Sequence, residues 1–160
     1  MIDFLRIDDR LLHGQVVVKW INLVQPDAIV VANDEVVKNE ISKLALKMAK
    51  PEGVKLAIKS IDDAVALLNN EKTQNMKLFV VVKNAYDAKL LAERVNDINI
   101  VNIGGMSNKK EGGKMVLSNI YMNQEDIDYI KETMKYVKEV DVRAVPSSPK
   151  KDFLDCIKDF

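Results

Sequence analysis

Ala28-Ile29-Val30-Val31-Ala32-Asn33-Asp34-Glu35 decides the fold, together with Val37, Ile41, Leu44 and Met48 after it and the run Val54–Ile58 beyond Pro51 and Gly53. Ala28–Ala32 is apolar throughout. A short run without polar alternation reads as a strand buried on both faces. Val37, Ile41, Leu44 and Met48 recur at helical spacing and predict one apolar helix face. Pro51 and Gly53 end that helix, and Val54–Ile58 reads as a second strand. Two strands joined through a helix are the unit of a parallel sheet.

The same unit extends in both directions. Ile2–Ile7, Leu78–Val82 and Ile98–Ile103 are further compact apolar runs. Helical stripes lie between them: Ile61, Ala64, Val65 and Leu68, then Ala85, Ala88, Leu91, Ala92 and Val95. Gln15–Val24 admits two readings, because Val16–Val18 would suit a strand. Val16, Trp20, Leu23 and Val24 fit a helix better, closed by Pro26 and Asp27. A fourth stripe is Ile127, Ile130, Met134 and Val137. The alternation predicts a single α/β domain over residues 1–160, a three-layer open and mostly parallel sheet with helices on both faces and the first strand central. Met115–Ser118 and Ile120–Asn123 read as short strands that give this sheet an antiparallel edge. Ser148 and Pro149 are expected to start a last helical turn as N-cap and first residue. Phe153, Leu154 and Ile157 would dock that tail, with Cys156 as a packing residue.

Composition narrows the function. Twenty-four basic side chains balance 24 acidic ones, which argues against a nucleic-acid binder. No apolar run approaches the ~18–20 residues that span a bilayer, and MIDFLRIDDR lacks the pattern of a signal peptide. A cytoplasmic chain without direct membrane insertion is expected. One cysteine cannot form an intrachain bridge, in keeping with a reducing compartment.

Chemistry concentrates in Arg6-Ile7-Asp8-Asp9-Arg10-Leu11-Leu12-His13-Gly14-Gln15-Val16, which joins the first strand to the first helix. Ligands of open α/β sheets bind beyond the carboxyl ends of strands, at a topological switch point. His13 is the only histidine, so a multi-histidine metal site is impossible and any imidazole chemistry must use this residue. Neutral imidazole is a nucleophile able to attack phosphorus. A helix beginning near Gly14 would aim the N–H groups of Gly14, Gln15 and Val16 at an anion, aided by the helix dipole. Gly14 leaves room for a bulky donor. Arg10 and Arg6 would offset charge on a phosphoryl group, and Asp8 or Asp9 would orient the imidazole or an arginine fork. The plainer alternative is a capping histidine beside a surface ion-pair cluster.

The run RIDDRLLHGQVVVKW closely resembles the active-site segment of IIB proteins of the mannose/fructose/sorbose phosphotransferase family. The resemblance extends over the whole chain, with Val30–Glu35 and Asn102–Met106 as further, less specific matches. It implies that His13 is transiently phosphorylated and that Arg10 stabilises the phosphoryl group. Arg6, Asp8, Asp9, Gly14 and Gln15 also match. It implies a phosphoryl donor, the IIA component, membrane partners IIC and IID that bind the sugar, and neither metal nor cofactor. A different class stays open: a non-covalent α/β binding or regulatory module for a phosphorylated metabolite or a protein partner.

Gly104–Lys114 is glycine- and lysine-rich but is not a Walker A loop, since Met115 follows Gly113-Lys114 where Ser or Thr is required. It reads as a surface loop, or as a docking segment in which Lys109, Lys110 and Lys114 meet acidic residues of IIA. Asn33-Asp34-Glu35 follows the second strand and could line the site opposite His13, but reads better as a cap with an acidic first turn, and Trp20 and the methionines read as core.

Overall fold

A computed structural model of the chain describes residues 2–160. Its centre is β1 (Ile2–Asp8), flanked in parallel by β4 (Leu78–Val82) and β5 (Ile98–Gly105). β2 (Ala28–Ala32) and β3 (Lys55–Lys59) extend one side, and β8 (Glu139–Val142) and β9 (Lys151–Asp152) the other. The strand order is β3-β2-β4-β1-β5-β8-β9, with β1 in the middle. Among the described residues of this sheet, only β9 runs antiparallel to its neighbour.

Successive strand side chains point to opposite faces, and two cores result. Phe4, Ile29, Val31, Phe79 and Val81 face α1 (Gly14–Val24) and α2 (Glu40–Ala49). Leu5, Ile7, Val30, Val80 and Val82 face the other helices: α3 (Ile61–Leu68), α4 (Ala85–Arg94), α5 (Gln124–Thr133) and α6 (Phe153–Cys156). This is the expected three-layer architecture. The stripes on α3 and α4 pack into the core as their spacing predicts, and the ambiguous segment after His13 is a helix. Trp20 is fully buried there.

Several expectations need correction. Lys114–Leu117 (β6) and Ile120–Met122 (β7) pair with each other in a separate hairpin sheet; the antiparallel edge is β9. The tail helix starts after Asp152, whose carboxylate caps Leu154 N–H, and not at Ser148 and Pro149, because Lys151 and Asp152 are held on β8. Phe153 docks fully while Leu154 stays exposed. The stripe before Pro51 is interrupted at Asn39. Val36–Lys38 forms a 3-10 turn, and the Asn39 side chain caps a new helix at Ser42 N–H. The register restarts there. Leu46 is buried, whereas Ile41 (82% exposed) and Met48 (79%) face solvent. Met115 is also exposed, so the methionines are not uniformly core; Met106 and Met122 are. Cys156 packs half-buried against the core, and burial raises its thiol pKa. Among the described residues, no helix is long and apolar enough to cross a membrane.

Candidate functional site

The segment Asp8–His13 leaves β1 between the carboxyl ends of β4 and β5. α1 departs toward one face of the sheet and α4 toward the other, the arrangement that opens a crevice at a strand end. The loop is pinned from below. Leu11 N–H donates to Asp8 carbonyl at 2.9 Å, and Leu11 and Leu12 are both buried in the α1 core. Leu11 adopts a left-handed backbone, φ 58°. That conformation costs about 1–2 kcal/mol for an L-residue. Burying two leucines returns about 1.5–3 kcal/mol each, so the strained turn is held.

His13 follows these anchors and is exposed at the N-cap of α1. Its carbonyl accepts from Val17 N–H, and its side chain makes no capping bond. The first turn contains no acidic residue, and the N–H groups of Gly14, Gln15 and Val16 donate to no protein acceptor among the described residues. An anion at His13 would meet these donors and the positive end of the dipole. Gly14 has φ 41°, a left-handed conformation that glycine takes without a Cβ penalty.

Below the loop runs a chain of buried polar groups. Asp8, 1% exposed, accepts from Arg6 Nη2 at 3.0 Å, Arg10 N–H at 3.0 Å and Arg10 Nε at 3.2 Å. Arg6, 3% exposed, also donates to Asn102 Oδ1 at 2.6 Å. Asn102 Nδ2 donates to Asp141 Oδ1 at 2.9 Å, and Asp141 accepts from Arg143 Nε at 2.9 Å. Burial lowers the Arg6 pKa while the Asp8 carboxylate opposes that shift. Arg6 and Arg143 both lie over the Trp20 indole, 5.4 and 5.1 Å from its ring centroid. Indole Nε1–H donates to Ala144 carbonyl at 2.9 Å. Arg6 therefore holds Asp8, and Asp8 holds Arg10, whose guanidinium remains partly open to solvent.

Asp9 turns the other way. It accepts from Ser107 N–H at 2.7 Å and Asn108 N–H at 3.2 Å, tying the loop after β5 to the His13 loop. Neither Asp8 nor Asp9 is hydrogen-bonded to His13. Gln15 is exposed on the first turn of α1. Lys110 is bound to Asp126 at 2.7 Å, Lys109 lies over Tyr121, and Lys114 lies over Phe160. Asn33 caps as expected, accepting from Glu35 and Val36 N–H, while Asp34 accepts from Ile61 N–H.

Sequence reasoning missed Asp141 and Arg143, and it gave Asn102 no role. The signal for Asn102 was a polar residue inside an apolar strand. Gly104 and Gly105 have a steric origin: an added Cβ would lie 2.0 Å from Arg6 Nη1 and 2.8 Å from Asp8 Oδ1 respectively.

The sequence and the fold both have known relatives. A "Probable phosphotransferase enzyme IIB component" of Streptococcus pyogenes is 38% identical over 156 residues, 94% of this chain and 95% of that one. The mannose-specific EIIAB component of Escherichia coli is 31% identical over 98% of this chain and 48% of its own length. The crystal structure of the IIBSor domain of the sorbose permease from Klebsiella pneumoniae superposes with a TM-score of 0.91 at 33% identity, covering 99% of this chain and 96% of that domain. The family model described as the PTS system sorbose subfamily IIB component matches residues 2–160. The chain belongs to the sorbose subfamily of phosphotransferase-system IIB components.

Proposed function

We propose that His13 carries the phosphoryl group between a IIA donor and a sugar held by membrane IIC and IID partners. The observation that carries this reading is the only histidine of the chain, exposed at a helix N-terminus whose first N–H groups await an acceptor. In the first transfer, a nitrogen lone pair of His13 attacks phosphorus. The bond from phosphorus to the donor imidazole breaks, and a proton passes in net from the His13 ring to the donor ring. In the second, a sugar hydroxyl oxygen takes the phosphorus and its proton ends on the His13 ring. The chain works on the cytoplasmic side, where its donor resides. Arg10, oriented by Asp8, neutralises charge that spreads over the phosphoryl oxygens. The IIA donor is supported by the relative whose name joins A and B components in one chain. Lys109, Lys110 and Lys114 form its docking face, so charge reversal at Lys109 should slow transfer at low salt and less at high salt; an unchanged rate removes that role.

The test is intact mass at neutral or alkaline pH after incubation with phosphoenolpyruvate, enzyme I, HPr and a cognate IIA. Wild type should gain one phosphate and His13→Ala none, with its fold retained. Arg10→Ala should slow the gain about 100-fold, the cost of losing one charge-stabilising donor. Phosphate gained by His13→Ala would sink the assignment. Retention of an unmodified phosphorylated metabolite without a covalent shift would favour the binding module.

A further inference from the structure

Two clefts open beside the loop that precedes His13, one lined by Asp9–Leu12 and the other by Asp9 alone of that loop, and one side chain outside the recognised motif lines both. Lys83 follows the last residue of β4, and Val82 pairs with Ile7 of β1, so Lys83 stands at the carboxyl edge beside that loop. The first cleft, about 250 Å³, is lined by Arg10, Leu11, Leu12 and Ser42 together with Lys83. The second, about 230 Å³, is lined by Asn84, Met106, Asn108 and Lys110 together with Lys83. Asp9 also lines each.

Several cations around this loop are already committed to acids or amides. Arg6 is held by Asp8 and Asn102, Arg10 by Asp8, Arg143 by Asp141 and Lys110 by Asp126. The Lys83 ammonium makes no hydrogen bond or ion pair among the described residues. Asp9, the acid beside it, already receives the N–H groups of Ser107 and Asn108. An exposed ammonium on a flexible stem, sharing a cleft with Arg10 and lacking a carboxylate of its own, is a donor held in reserve for an anion.

We propose that Lys83 is a further catalytic residue of phosphoryl transfer, contacting the phosphoryl oxygens from the side of the cleft opposite Arg10. The proposal rests on the His13 carrier reading. Arg10 is fixed by Asp8 and supplies a directional fork. Lys83 is free to follow the phosphorus as it moves between two nitrogens, so its charge matters most in the transition state. No new covalent step is involved. Lys83 neither gains nor loses a covalent bond.

The experiment is rapid-quench transfer from purified phosphorylated IIA to this protein, with donor concentration varied, for wild type, Lys83→Met and Lys83→Arg. Lys83→Met should lower the rate at saturating donor by roughly tenfold, less than a buried oxyanion donor because the group is solvated. Half-saturating donor concentration should stay within about twofold, and Lys83→Arg should recover most of the rate, as expected for loss of transition-state charge. A rate within about twofold of wild type in Lys83→Met overturns the proposal. A shift confined to the half-saturating concentration also overturns it and makes Lys83 a docking residue. A wild type that accepts no phosphate from a IIA shown to be phosphorylated removes the carrier reading, and this proposal with it.

Discussion

At the scale of single residues, the site is governed by what lies beneath Arg10. An arginine 41% exposed would ordinarily sample many rotamers, and here both oxygens of Asp8 accept from its guanidinium. Asp8 can do so because Arg6 neutralises it, and Arg6 lies flat across β5 because residue 104 has no side chain. Gly104→Ala should therefore be costly although alanine is small. The added carbon would displace a guanidinium and leave Asp8 and Asn102 without their partner. Breaking a buried ion pair on one side costs about 3–5 kcal/mol. Chemical denaturation should show a loss of about 3 kcal/mol, with phosphate uptake slowed in the protein that still folds. A loss below about 1 kcal/mol would mean that Arg6 relocates without penalty. The motif residues were legible because they form one continuous run. Asp141 and Arg143 were not, since they join the site across 39 and 41 residues of sequence through Asn102.

Elements explain the other successes and failures of sequence reading. α4 packs as its stripe predicts because Asn84 caps it cleanly and no break interrupts the spacing. α2 does not, because Asn39 starts a fresh helix in the middle of the apolar pattern. β8 is short and carries Glu139 and Asp141, so its sequence offers no apolar run to detect. Polarity hid the strand for the same reason that it serves the site. The first turn of α4 also stores a pH dependence. Burial, reinforced by the charge of Asp34, pushes the Asp87 carboxyl up to about 6. A carboxyl raised in the folded state favours folding while it is protonated, and that contribution fades as pH rises from about 4 through about 6. Because Asp87 is only partly buried, solvent screening reduces the effect to about 1 kcal/mol or less. Asp87→Asn should stabilise the protein at pH 8 and leave it nearly unchanged at pH 4, read as denaturation midpoints at both values. An equal shift at both would locate the effect in helix capping and not in titration.

Across the whole molecule, polarity is threaded through the sheet. Most of the β1 and β5 side chains are apolar, yet Arg6, Asn102 and Asp141 cross the layer as one bonded chain from the His13 loop toward the β8 edge. Trp20 is the only tryptophan, and the guanidinium groups of Arg6 and Arg143 both lie over its ring. Arg6 shares Asp8 with Arg10, so a phosphoryl group that draws Arg10 away from Asp8 alters the field at the indole. Trp20 would then act as a built-in reporter of phosphorylation, with no label and no second tryptophan to confuse the signal. Tryptophan emission should shift when the wild type is phosphorylated and stay constant in His13→Ala under the same treatment. Identical spectra would mean that Asp8 insulates the interior from the loop. A shift would let each arrival and departure of phosphate be timed by light.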